Sequence, residues 1–183
     1  MNKRKFLTGV RERLETGKLV AGEKYADLII KNGSLVNVST REVLERDVAV
    51  IAGRIGSVGR DLDRLRGKDT DLIDARGLYL VPGFVDAHLH IESSMLSPVR
   101  FARLMAGKGV TGIFFDPHEI ANVAGIPGVR WMVEEVERTP INGFLTVPSC
   151  IPASSPELET TGAEFGLEEI KEALEWDSAV ALG

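Results

Sequence analysis

The spacing of hydrophobic residues divides the chain into three segments. In residues 1–24 apolar residues recur near helical spacing between charges, which predicts a short N-terminal surface helix over residues 3–19, followed by a linker. Residues 25–80 contain short β-rich runs separated by glycine-containing turns, which predicts a small β-rich domain. In residues 81–183 apolar runs alternate with amphipathic stretches, as expected for successive βα units.

The β-rich segment carries two turn signals. Asn32-Gly33 lies between two apolar runs and predicts a hairpin, because both turn positions require a positive φ. A second pair of strands is expected to turn near Ala52-Gly53, and residues 71–83 add a further strand. No combination of catalytic residue types occurs in this segment, so we interpret it as a structural module.

The third segment predicts an α/β fold with a parallel sheet. Its apolar runs are nearly continuous, which is typical of strands that are covered on both faces. The expected strands lie in residues 78–90, 109–116, 143–149 and 178–183, and the expected helices in residues 96–108, 128–139 and 166–176.

Charge and cysteine content exclude several classes of protein. The 183 residues contain 22 Lys and Arg against 27 Asp and Glu, a net charge of −5, whereas a nucleic-acid-binding protein usually has a basic face. The single cysteine, Cys150, excludes an internal disulfide and cysteine-cluster zinc sites, and it favours the reducing cytoplasm. No apolar stretch is long enough for a signal peptide or a membrane span. We therefore expect a cytoplasmic protein with neither nucleic acid nor membrane as partner.

Polar residues of chemical interest follow the predicted strands. Ligands of parallel α/β folds bind at the carboxyl ends of strands, so a site is expected there. Cys150 is interpreted as a small buried thiol and not as a nucleophile, because no histidine is left to activate it. The residues in question are Asp86, His88, His90 and Glu92 after the first strand, Asp116, His118 and Glu119 after the second, and Ser149 and Cys150 after the third.

His88 and His90 are the strongest candidates for metal ligands. Residues two apart on a strand point to the same face, so both imidazoles are expected to converge on one point. Neutral imidazole is a common ligand of zinc, iron and manganese. Asp86 has the same parity and is a candidate acceptor for a histidine ring N–H.

The remaining polar residues leave two interpretations open. Glu92 and Ser93 either line a substrate pocket or cap the helix that follows them. His118 and Glu119 either contact substrate or support a ligand, or they belong to a loop in which Asp116 caps the next helix.

The sequence also resembles a known family. VPGFVDAHLH at residues 81–90, preceded by KNGSLVNV and IAGRIGSVG, is similar to the amidohydrolase superfamily, which combines a metal-dependent (β/α)8 barrel with a small β-sandwich. HIESSM, DPHEIANVAG and PSCIPASSPELETTGA, starting at residues 90, 116 and 148, resemble its adenine deaminase family. The resemblance implies the N-terminal half of a TIM barrel preceded by a β-sandwich-type domain.

The resemblance further implies a site and a reaction. His88 and His90 match the first-strand ligands of a centre with two divalent metal ions, for which manganese or iron is expected, with zinc as the alternative. The implied substrate is adenine, which metal-activated hydroxide attacks at C6 to give hypoxanthine and ammonia in purine salvage. Asp86, Glu92, Ser93, Asp116, His118 and Glu119 remain candidates for binding substrate or supporting the ligands.

Length is the main departure from this family. A (β/α)8 barrel needs about 250 residues, and the family's other ligands come from later strands. We therefore expect a truncated chain that is inactive alone, with open strand edges that favour homo-oligomerisation. Two alternatives stay open: another cyclic amidohydrolase, dihydroorotase-like or imidazolone-hydrolysing, and a truncated polypeptide without catalytic function.

Overall fold

The computed structural model describes residues 9–155 and 157–183. The chain divides into two compact units, with the boundary between Pro82 and Gly83. Each unit has a hydrophobic core of its own. Within the described ranges, no helix combines the length and apolarity needed to cross a lipid bilayer.

The first unit contains one helix and one five-stranded sheet. Helix α1 spans Val10–Ala21 and ends at Gly22, whose φ of 78° suits a left-handed cap. The helix therefore ends two residues beyond the predicted end at residue 19, and the predicted residues 3–8 lie outside the described part of the chain. The strands are β1 Leu28–Asn37, β2 Glu42–Ile51, β3 Arg54–Gly59, β4 Asp71–Asp74 and β5 Tyr79–Leu80, with a 3-10 turn at Asp63–Leu65.

The hairpin predicted at Asn32-Gly33 is wrong. Strand β1 continues through both residues and reverses only at residues 38–41. Asn32 has a φ of 61°, and its N–H donates to the Asp47 carboxylate on β2 at 3.1 Å. The register with β2 shifts between Ile30 and Gly33, so Lys31 and Asn32 form a bulge opposite Asp47, and Gly33 pairs again with Arg46.

Three further predictions for this unit concern one turn, one strand and the arrangement of the sheet. The turn at Ala52-Gly53 is confirmed, with φ values of 49° and 70° between β2 and β3. The single strand predicted in residues 71–83 forms as two, β4 and β5, both parallel to β1. Because the described strands form one sheet, ordered β3-β2-β1-β4 with β5 also on β1, the β-sandwich is not confirmed.

The second unit has the predicted α/β fold with a parallel sheet. Its four strands pair in parallel in the order β6-β7-β8-β9, and a helix follows each of the first three. The closed barrel stays a prediction. The strands are β6 Phe84–Leu89, β7 Val110–Phe115, β8 Asn142–Val147 and β9 Ala179–Leu182, and the helices are α2 Pro98–Ala106, α3 His118–Glu137 and α4 Leu167–Leu174.

Burial differs between the central and edge strands. Ile113 on β7 and Leu145 on β8 are fully buried, and both belong to the core that α3 also lines. On the edge strand β6, by contrast, Phe84 is 61% and Val85 is 57% exposed. The core of the sheet therefore lies at β7 and β8, and β6 presents apolar side chains outward.

Helix α3 begins ten residues before the helix predicted at 128–139. The chain turns at Gly125, whose φ of 58° and ψ of −147° are not helical, so α3 consists of two helical pieces. Pro127 lacks an N–H. Because Gly125 and Pro127 both disfavour a continuous helix, the sequence pattern did not predict the first piece of α3. The carbonyl of Asn122 accepts the N–H groups of Gly162 and Ala163, at 2.9 and 3.2 Å, which ties the loop after β8 to the bend.

Candidate metal centre

The parallel strands bring their polar ends to one edge of the sheet. His90 directly follows β6, and Asp116 directly follows β7. The N–H of Asp116 donates to the carbonyl of Leu89 at 2.9 Å, which extends the pairing of the two strands by one bond. Both side chains therefore leave the sheet at the same level.

His88, His90 and Asp116 form a candidate cation site. Each offers one ligand atom, and the three atoms lie within 4.8 Å of one another. The two imidazole rings meet edge to face with their centroids 5.1 Å apart, as the parity argument predicted. Two imidazoles and one carboxylate are a donor set that divalent zinc, iron and manganese accept.

The hydrogen bond of His90 fixes its tautomer. Nδ1 lies 2.8 Å from the backbone carbonyl oxygen of Asp116. A carbonyl oxygen can only accept, so Nδ1 carries the proton and donates it. The lone pair of Nε2 in the neutral ring is then free for a cation.

The Asp116 carboxylate is buried without compensation. The residue is 6% exposed, and Oδ1 has no hydrogen-bond partner among the described residues. Burial raises the pKa of Asp116, and the imidazoles of His90, His118 and His88 oppose that rise. A buried carboxylate oxygen without a donor, beside two imidazoles, fits a divalent cation, which would supply the missing partner.

Asp116 does not cap a helix, so that interpretation is wrong. Pro117, not Asp116, occupies the N-cap position of α3. From the sequence, Asp116 was predicted only to bind substrate or to support the ligands. Its position directly after a buried strand that neighbours the His-x-His strand is the signal that would have identified it as a candidate ligand.

The loop after β6 contacts the start of α3 through two side chains. Glu92 begins a 3-10 turn, Glu92–Ser94, and its Oε1 accepts the N–H of Ile120 at 3.1 Å. Glu92 thus caps α3, not the helix that follows it in sequence, where Ser97 is the N-cap without a side-chain bond. Burial raises the pKa of Glu92. Ser93 donates from Oγ to Oε1 of Glu119 at 2.7 Å.

Asp86 and His118 take other positions. Asp86 Oδ1 accepts the backbone N–H of His88 at 3.2 Å, not a ring N–H. The His118 ring lies 6.2 Å from the His90 ring, centroid to centroid, and its Nδ1 is 4.0 Å from Sγ of Cys150. Cys150 is exposed, so the prediction of a buried thiol is wrong, as is the premise that no histidine lies near it.

Residues 79–180 match the amidohydrolase family. The chain belongs to that family. Two curated relatives are adenine deaminases: that of Ruegeria sp. (strain TM1040) is 51% identical over 164 residues, and that of Moorella thermoacetica is 49% identical over 171 residues. The alignments cover 89% and 92% of this amidohydrolase but only 27% and 28% of the relatives. The chain thus spans little more than a quarter of their length.

Solved structures agree on the fold of this amidohydrolase. The L-hydantoinase of Arthrobacter aurescens superposes with a TM-score of 0.56 at 23% identity, over 73% of this chain and 30% of the hydantoinase. The atrazine chlorohydrolase TrzN of the same species, solved with zinc, gives a TM-score of 0.63 at 14% identity, over 85% of this chain and 46% of TrzN. At these identities the likeness shows the fold alone.

Proposed function

We propose that this amidohydrolase contributes to the hydrolytic deamination of adenine. The observation that carries the proposal is the convergence of His88, His90 and Asp116 at the ends of two neighbouring strands. The choice of adenine is supported by the 49–51% identity to adenine deaminases over about nine tenths of the chain.

The proposed reaction converts adenine and water into hypoxanthine and ammonia. An oxygen from water bonds to C6, and the bond from C6 to the exocyclic nitrogen breaks. One proton of the water passes to that nitrogen, which leaves as ammonia, and the other is carried by N1 of hypoxanthine. A divalent cation supplies one element of this chemistry when bound, because it lowers the pKa of a water ligand toward neutrality. Manganese or iron is the proposed metal, with zinc as the alternative, in a centre of two ions to which this chain contributes part of the ligands.

The chain's own residues have distinct proposed roles. His88 and His90 hold the cation, and the hydrogen bond from His90 Nδ1 to the Asp116 carbonyl orients that ring. The Asp116 carboxylate provides a desolvated negative charge beside them. His118, Glu119, Glu92 and Ser93 lie around this cluster at the strand ends, where substrate would enter.

A chimera tests the proposed function. The 164-residue segment of the Ruegeria deaminase that aligns with this chain is replaced by the aligned residues of this chain. We expect the chimera to form hypoxanthine from adenine and the His90→Ala chimera to lose that activity, while the 183-residue chain alone shows no turnover.

Two results would contradict the proposal. A folded, metal-loaded chimera that hydrolyses dihydroorotate or an imidazolone but leaves adenine intact would favour a cyclic amidohydrolase. A folded chimera without metal or turnover would favour a polypeptide without catalytic function.

We further propose that the protein acts in cytoplasmic purine salvage and that it self-associates through the edge strand β6. The exposed apolar side chains of Phe84 and Val85 support the self-association.

A further inference from the structure

Glu119 contacts the Nδ1 edge of the His90 ring. Its Oε2 lies 3.3 Å from His90 Nδ1, while the Asp116 carbonyl oxygen lies closer, at 2.8 Å. One N–H makes one strong, nearly linear hydrogen bond, so the carbonyl is the main acceptor. The carboxylate of Glu119 acts on the same proton through its charge. Its Oε2 is buried and has no hydrogen-bond donor of its own among the described residues.

The position of Glu119 is fixed from two sides. Oε1 accepts the hydroxyl of Ser93 at 2.7 Å, from the loop that follows β6. Glu119 is also the second residue of α3, where the helix dipole favours a negative charge. The bond from Ile120 N–H to Glu92 joins the same loop to the same helical turn. The carboxylate is therefore held beside Nδ1 by its surroundings.

We infer that Glu119 is a positioning residue for His90. Its carboxylate adds to the Asp116 carbonyl in keeping the ring proton on Nδ1 and so helps to leave the Nε2 lone pair available to a cation. The part of this inference that concerns the cation rests on the proposed function. The part that concerns the proton is a property of the metal-free chain.

The position of the proton is measurable without metal or activity. In the 15N-labelled, metal-free chain, ring nitrogen shifts at a pH where imidazole is neutral report which nitrogen of His90 is protonated, and His90→Asn assigns the signals. We expect protonation at Nδ1. In Glu119→Gln we expect a partial shift toward protonation at Nε2, because the charge that favours the proton on Nδ1 is removed while the Asp116 carbonyl remains as an acceptor. Glu134→Gln, an exposed glutamate on the same helix, is the matched control and should leave His90 unchanged.

A second variant and a metal titration complete the test. Ser93→Ala should shift the tautomer in the same direction by less, and it decides the question if Glu119→Gln does not fold. Titration with Co²⁺ should show an affinity loss of about 10- to 100-fold in Glu119→Gln and none in Glu134→Gln, as for other partners of metal-bound histidines.

The outcomes separate the two proposals. If His90 in Glu119→Gln has the same ring shifts as in Glu134→Gln, the inference is overturned, whatever the chimera does. If the tautomer shifts but the chimera leaves adenine unchanged, the inference stands and the proposed function fails.

Discussion

Asp116→Asn should stabilise the metal-free protein while removing its affinity for metal. Asparagine keeps the shape of the side chain and removes its charge. Asp116 is 6% exposed, with one carboxylate oxygen unpartnered in the described chain, so folding leaves part of the charged group's desolvation uncompensated. Under the proposed function a bound cation would offset that cost, which is a common conflict between stability and function.

The unpaired Oδ1 of Asp116 determines the expected gain in the free energy of unfolding. An unpaired buried polar group costs about 1–3 kcal/mol, and the amide still contains polar atoms, so we expect a gain near the low end, about 1 kcal/mol. For a unit the size of residues 83–183, that gain corresponds to a rise in Tm of about 4–8 °C. A saturating cation reverses the order, since metal at 100 times its Kd stabilises the wild type by about 2.7 kcal/mol.

The pH dependence has a definite sign. Burial raises the pKa of Asp116 above its ordinary value of 3.8, so between the two values the folded chain binds more protons than the unfolded chain. The contribution of Asp116 to stability in chelator should therefore fall as pH rises from 3.8 through its folded-state pKa. The advantage of Asp116→Asn should vanish below that window and be complete above it. Glu92, whose pKa burial also raises, leaves a residual slope in both proteins.

Circular dichroism melts in chelator, repeated from acidic to neutral pH, measure both effects. The reasoning is refuted if Asp116→Asn lowers Tm at neutral pH, or if the difference between variant and wild type is the same at every pH. Asp47→Asn serves as a contrast, because the Asp47 carboxylate accepts the N–H groups of Asn32 and Leu62, at 3.1 and 3.2 Å. That substitution should destabilise the protein.

Three further substitutions test the packing around the site. Gly143→Ala should lower the free energy of unfolding by about 1–3 kcal/mol in urea titrations, because its Cβ would lie 2.1 Å from Cγ1 of Val136; an unchanged midpoint would contradict this packing. Gly125→Ala should cost about 1–3 kcal/mol in the same assay, since φ 58° with ψ −147° is a glycine conformation, and a neutral result would argue against the bend in α3. Cys150→Ser should stay within about 0.5 kcal/mol and keep its Co²⁺ affinity, because the thiol is exposed and 4.0 Å from His118; a loss of affinity would show that the thiol is a ligand.

The parts of the site that follow from strand geometry were predictable from the sequence. Side chains alternate along a strand, so the two-residue spacing of His88 and His90 was enough to place both rings together. The near-continuous apolar runs likewise predicted buried parallel strands, which holds for β7 and β8, where Ile113 and Leu145 are fully buried, but not for the edge strand β6.

The features that depend on contacts between distant segments were not predictable. Asn32-Gly33 looks like a turn locally, but β1 pairs with β2 on one side and β4 on the other, so the strand continues through it. Similarly, aspartate is a residue type that often caps helices. Only the pairing of β6 with β7 shows that the Asp116 carbonyl accepts a hydrogen bond from His90 and that its carboxylate lies beside both histidines.

Anomalous diffraction from crystals of this chain grown with Zn²⁺ tests the central claim most directly. The account predicts a peak bonded to His88, His90 and Asp116, at about 2.0–2.2 Å from each ligand atom. Well-diffracting crystals with no peak among these three side chains, or with the zinc bound elsewhere, such as at Cys150, would contradict it.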